Sequence, residues 1–121
     1  MLDKALITRA DDFGSSHSAN QAIYEVSKKG IVKNVSVMTW APYLEEAAEM
    51  LASSKDVTFG MHSVINAEWD RVVWGPVAPK EKVKSLIDHR GVFYQDVLEL
   101  AAAKPDLDEI ITEYKYQLDR L

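Results

Sequence analysis

An α/β fold with a parallel sheet is what this sequence predicts, and three observations predict it. Short apolar runs alternate with segments of helical periodicity, at the spacing of βα units joined by right-handed crossovers. The residues that close those runs are chemically able: Asp11 and Asp12, then Thr39 and Trp40, then His62. All strand ends of a parallel sheet lie on one edge, so three separate stretches converge where α/β proteins gather their chemistry. With 121 residues, a net charge of −5 and 47% hydrophobic residues, the chain suits one soluble domain or part of one. We expect a single, partial βα domain over residues 1–121.

The elements follow in order. Ala5 to Ala10 reads as a buried strand that ends at the Asp pair. Ala19, Ala22, Ile23 and Val26 then fall at i, i+3, i+4 and i+7, the face of a buried helix. Ser15, Ser16 or Ser18 caps its start, and Gly30 stands where a left-handed stop is expected. Val35 to Trp40 suits a second strand. Pro42 opens a second helix that turns Leu44, Ala47, Ala48 and Leu51 inward. Val57 to His62 is the third strand. From Ser63 to about Val92 no period is sustained, and a loop this long in a compact domain is usually functional or disordered; its tryptophans argue for order. A short helix is expected over Tyr94 to Ala102. Asp106 with Glu109 resembles a capping box, and Leu107, Ile110, Ile111, Tyr114, Leu118 and Leu121 form an apolar stripe after it.

Composition narrows the function. An acidic balance without a basic cluster argues against nucleic acid or an anionic membrane as partner. Without cysteine there is no disulfide and no thiolate zinc site, so a metal must use Asp, Glu or His. No leader-like segment and no run of roughly 20 apolar residues is present, and a cytoplasmic protein is the expectation.

Each candidate has a plain reading beside the chemical one. On alternate faces of a strand, one of Asp11 and Asp12 can bind a metal while the other handles a proton; equally, one can cap the helix while the other is solvated. A lone histidine is more often a satisfied polar residue than a ligand, but the placement of His62 opposite the Asp pair reverses that preference. His17 at a helix start and His89 beside Arg90 read as surface groups. Asn20, on the first helical turn, is expected to hydrogen-bond the preceding loop. Trp69 and Trp74 suit stacking on a sugar face and anchoring the loop about equally. Asp12-Phe13-Gly14 matches the magnesium-binding triplet of protein kinases, but the glycine-rich loop and catalytic loop of those enzymes are missing. A glycosidase is disfavoured because adjacent aspartates at one strand end cannot flank a glycosidic bond.

Taken together, ITRADDFG at 7–14, SxxxNQAIYE from Ser16, GIVKNVSVM from Gly30, FGMH at 59–62, NAEWDRVVWGPVAP from Asn66 and SLIDHRGVF from Ser85 resemble the YdjC/ChbG-like carbohydrate deacetylases. The resemblance implies the N-terminal part of a distorted (β/α) TIM-like barrel that removes an acetyl group from an N-acetylated sugar or oligosaccharide. It also implies a divalent metal, magnesium or zinc, with Asp12 and His62 as ligands and Asp11 as general base. The family's third ligand, a histidine of an HxDxH-like motif on a later strand, has no match in these 121 residues, and a barrel needs roughly 200 or more. A truncated or half-barrel chain is therefore expected, and with it a homo-oligomer or assembly with another chain, because open sheet edges and the apolar stripe call for cover.

Overall fold

The computed structural model describes residues 4–52 and 54–121, without the side chain of Leu51. They form two compact units, one ending at His62 and one running from Ser63 to Leu121. Each is taken by itself.

The first unit is built of βα repeats. Among the described residues its sheet has three strands in the order β1 (Arg9–Phe13), β2 (Asn34–Val37) and β3 (Thr58–Met61), with both pairings parallel. Between them lie α1 (His17–Lys28) and α2 (Leu44–Leu51). The core joins Phe13, Val35 and Val37 of the sheet to Ile23 of α1, Ala47 of α2 and Val32. Ser16 caps α1 by accepting the Ala19 N–H at 3.2 Å. A Schellman motif ends it: Gly30 at φ 80° donates to the Ser27 carbonyl and Ile31 to the Val26 carbonyl.

Several expectations need correction here. The first strand lies further along than the apolar run suggested. Leu6 and Ile7 are 87% and 83% exposed, and the Asp pair lies inside β1, not after it. Both residues precede β1, in irregular chain that little of the described structure packs over. β2 stops at Val37, although Met38 and Thr39 stay buried. Ala22 and Ala48 face solvent; α1 buries Ile23 as expected, together with Asn20 and Ser27. At β3, Thr58, Phe59 and Gly60 are exposed.

The second unit has little regular structure before Asp96. Residues 63–96 fold as successive turns, with short 3₁₀ turns at Lys80–Lys82 and Lys84–Leu86. Two helices follow, α3 (Val97–Ala102), three residues shorter at its start than expected, and α4 (Leu107–Asp119). Val64, Ala67, Trp74, Ala78, Val83, Leu86, Phe93 and Leu100 are buried. The helix face that α4 buries is polar. Glu113 and Gln117, one turn apart, are fully buried, whereas Leu107, Ile111, Leu118 and Leu121 of the expected stripe are exposed. The Glu113 carboxylate accepts the N–H groups of Val77 (2.9 Å) and Ala78 (3.0 Å). Gln117 accepts the Val64 N–H at 3.1 Å, donates to its carbonyl at 2.6 Å, and donates to Glu113 at 2.8 Å. A buried loop carries backbone groups that must be paired, and these two side chains pair them. The capping box is only half formed. Asp106 caps α4 through the Asp108 and Glu109 N–H groups, but its own N–H goes to Ser85 Oγ, while Glu109 binds the Ser85 N–H and hydroxyl.

Candidate active site

The chemistry gathers at the C-terminal end of β1. In the β1–β2 register Ala10 faces Val35 but Phe13 faces Val37, so Asp11 and Asp12 together oppose the single residue Ser36. That extra residue is a bulge, a device that re-aims side chains beside functional sites. The backbone carries it at Asp12, whose φ of 66° lies in the left-handed region that aspartate tolerates better than most residues. The two carboxylates consequently have different partners. Asp11 is gripped by Arg9, Nε to Oδ1 at 2.9 Å and Nη2 to Oδ2 at 3.0 Å, in an exposed pair of small energetic weight. Asp12 instead reaches towards β3.

At the end of β3 the His62 N–H donates to the Val37 carbonyl at 2.8 Å, which extends the strand's pairing by one residue and fixes where the imidazole starts. Its Nδ1 lies 3.2 Å from Asp12 Oδ1. That nitrogen is buried and makes no hydrogen bond among the described residues. Two ligands of one tetrahedral zinc, with bonds of about 2.0–2.1 Å, stand about 3.3 Å apart. The pair therefore fits two adjacent corners of a metal's coordination shell, with an oxygen and a nitrogen donor that suit a divalent ion. Among the described residues no group of three or more His, Cys, Asp or Glu side chains could hold a metal. Thr39, two residues past the end of β2, is fully buried and its hydroxyl has no hydrogen-bond partner among the described residues.

Behind the site is a network of which the sequence reading anticipated only the bond from Asn20 to the preceding loop. Fully buried Asn20 accepts the Gly14 N–H at 2.7 Å and donates to the Tyr43 carbonyl at 3.1 Å and to Glu46 Oε2 at 2.7 Å. Glu46 Oε1 meets His17 Nδ1 at 2.5 Å, so His17 joins α1 to α2 and is more than a surface group. The hydrogen bond from His17, helped by that from Asn20, holds the Glu46 carboxyl below the usual glutamate range. His89 is exposed, and its neighbour Arg90 pairs with Asp88 at 2.7 Å.

In the second unit Trp74 is 7% exposed, and its ring meets Trp69 edge-on with centroids 5.2 Å apart. Trp69 is half-buried and is the ring with surface to offer.

Parallel strands joined by helices, with a carboxylate–imidazole pair at their C-terminal ends, define a protein of the α/β class with an enzyme-like strand-end site. Residues 5–121 match the family model described as YdjC-like protein, and the chain belongs to that family. It is 32% identical to a carbohydrate deacetylase of Thermoanaerobacter pseudethanolicus and to one of Enterococcus faecalis, over 97% and 98% of its length. It is 30% identical to a chitooligosaccharide deacetylase of Yersinia enterocolitica. The chain spans less than half of these relatives, 44%, 43% and 44% of their lengths. A crystal structure from Enterococcus faecalis V583, of a protein described as a candidate for cellobiose-phosphate cleavage, superposes with a TM-score of 0.79 at 30% identity, over 94% of this chain and 42% of that one. The chain is thus a partial TIM-like α/β fold. Among the described residues no helix is long and apolar enough to cross a membrane.

Proposed function

We propose that this chain carries part of the active site of a metal-dependent carbohydrate deacetylase, a hydrolase that removes the acetyl group of an N-acetylated sugar or oligosaccharide. The approach of Asp12 to His62, 3.2 Å across the ends of β1 and β3, is the observation that supports it most. The names of the relatives supply the substrate class. Asp12 and His62 would hold a magnesium or zinc ion. When bound, such an ion acts as a Lewis acid towards water and the amide carbonyl. Hydrolysis adds water across the amide C–N bond, giving acetate and a free amine, so the water must lose a proton as it attacks. Asp11 is the residue proposed to take it: it is next to the proposed ligand in sequence, 42% exposed at its carboxylate, and paired there with Arg9. Trp69, backed by Trp74, is the proposed stacking face for a sugar ring. The cytoplasm is the proposed location.

Calorimetric titration and an acetate-release assay on an N-acetylated chitooligosaccharide test this together. With two protein donors, binding of zinc is expected to be micromolar or weaker, since catalytic zinc sites usually have three. Asp12→Asn and His62→Ala should abolish it, whereas Asp11→Asn should bind the ion normally and release no acetate. Unchanged affinity in Asp12→Asn would overturn the ligand assignment, and acetate release by Asp11→Asn would overturn the base.

A second reading has its own support. Leu6 and Ile7 beside the β1 edge, and Phe59 on the β3 edge, are exposed, and open edges with apolar residues favour a half-barrel that assembles with another chain, a second copy included. Metal binding without acetate release by the isolated chain, and release once it is oligomeric, would select this reading.

A further inference from the structure

We propose that Asn20 is a positioning residue for the Asp12 carboxylate, acting through the turn that follows β1. The turn runs from Asp12 to Ser15, closed by the Ser15 N–H to the Asp12 carbonyl at 3.1 Å, with Gly14 at φ 98° in its third place. A glycine there is what a type II turn requires. A Cβ on Gly14 would stand 3.3 Å from the Met38 carbonyl oxygen and 3.5 Å from the Leu44 Cα, so the turn sits tight against the chain around both. Both backbone groups of Gly14 are held, the N–H by Asn20 at 2.7 Å and the carbonyl by the Tyr43 N–H at 3.0 Å. Only the Asn20 hold depends on a side chain, and it is the one that mutation can release.

The Asn20 amide is fully committed. Its oxygen takes the Gly14 N–H, and its nitrogen gives one proton to Tyr43 and the other to Glu46. With its donors fixed by α2, the amide cannot flip, so its oxygen must face Gly14. That orientation matters because Asp12 has an unusual backbone angle, in a bulge with no cross-strand partner of its own. Such conformations persist where surrounding structure over-determines them. Asn20 thereby transmits the placement of α1 and α2 to the residue that meets His62. This consequence for metal binding rests on the reading of Asp12 as a ligand; the consequence for geometry does not.

Nuclear magnetic resonance on the whole chain tests the geometry without metal. In the wild type, the Gly14 amide should be protected from solvent exchange, and the Asp12 Hβ protons should show a nuclear Overhauser contact to the His62 ring. In Asn20→Ala the Gly14 amide should exchange about tenfold faster or more, and the Asp12–His62 contact should weaken or vanish in the folded protein. Ile23→Val, a buried change on the same helix, should lower stability and leave both signals unmoved. The exchange variant Asn20→Asp with Glu46→Gln keeps an acceptor for Gly14 and a donor–acceptor pair across to α2 while losing the donor to the Tyr43 carbonyl, and should retain both signals. If Asn20→Ala fails to fold, loss of the Asp12–His62 contact in this variant while its Gly14 amide stays protected overturns the proposal. An unprotected Gly14 amide in the wild type, or an intact Asp12–His62 contact in folded Asn20→Ala, overturns the proposal. Zinc affinity should fall about tenfold or more in Asn20→Ala, as for other residues that orient a ligand. Absence of zinc binding by the wild type would count against the metal reading alone, leaving the resonance result to judge Asn20.

Discussion

The two units solve the same problem, burying a backbone, by opposite means. The first pairs its backbone within strands and helices and then hides apolar side chains between them: Phe13, Ile23, Val35 and Ala47. The second leaves most of residues 63–96 irregular and pairs the loop's backbone with polar side chains from a helix. Glu113 and Gln117 bond to Val64, Val77 and Ala78, and Glu109 bonds to Ser85. Both units bury apolar side chains, Leu86 and Phe93 among those of the second, but the irregular one needs buried polar side chains as well, to pair a backbone that no strand or helix pairs. Stability in the first should therefore respond mainly to volume, and in the second to polarity as well.

The largest effect should come from Phe13→Ala, which removes a side chain only 1% exposed; a loss of about 4 kcal/mol is expected in urea unfolding. Glu113→Ala should follow at about 3 kcal/mol, because the Val77 and Ala78 N–H groups lose their acceptor inside the protein. Hydrogen exchange should show protection lost at those two amides. If Glu113→Leu were as stable as the wild type, the claim that polarity holds the second unit would break. Asp106→Ala removes a helix cap and should cost about 1 kcal/mol.

Acidification distinguishes the units less sharply, since each has a carboxyl held below its ordinary value. Hydrogen bonds from His17 and Asn20 do this to Glu46. At Asp88 burial pushes upward, but the hydrogen bonds from Arg90 and Val92 outweigh it. A depressed folded value means stability that is present above the unfolded value and lost as pH falls through the folded one. The losses should thus begin below pH 4.5 for Glu46 and below 3.8 for Asp88. Glu46→Gln should flatten the first of these in chemical unfolding measured across that range.

The smallest effect is expected at Leu118→Ser, within about 0.5 kcal/mol for a residue 58% exposed. A markedly larger loss that depends on protein concentration, with light scattering above the monomer mass, would mean that a second copy covers the α4 stripe.

The same contrast explains what could be read from the residues alone. Hydrophobic period gave α1, α2 and the parallel β2 and β3, and strand ends gave the meeting of Asp12 with His62. It failed at Leu6 and Ile7, apolar residues in irregular chain before β1, because a short apolar run does not say whether anything packs over it. It also failed in α4, where period selects Leu107, Ile111 and Leu118 and the buried residues are Glu113 and Gln117. A buried glutamate one turn from a glutamine looks like any solvated helix face until the loop that it binds is seen. Asn20 was legible in part: its position at the first helical turn pointed to the preceding loop, but Tyr43 and Glu46 lie more than twenty residues away.

The left-handed backbone at Asp12 also bears on how this lineage can change. Aspartate, asparagine and glycine are the residues that sit at such angles with least strain. In the genetic code, asparagine and glycine are each a single base change from aspartate. A gene copy relieved of selection for chemistry can therefore exchange the carboxylate for a neutral residue while the turn, and the fold around it, survive. On the proposed reading of Asp12 as a metal ligand, drift at this codon would retire the site before it disturbed the protein's folding, and the occupant of position 12 should sort working copies of such genes from retired ones.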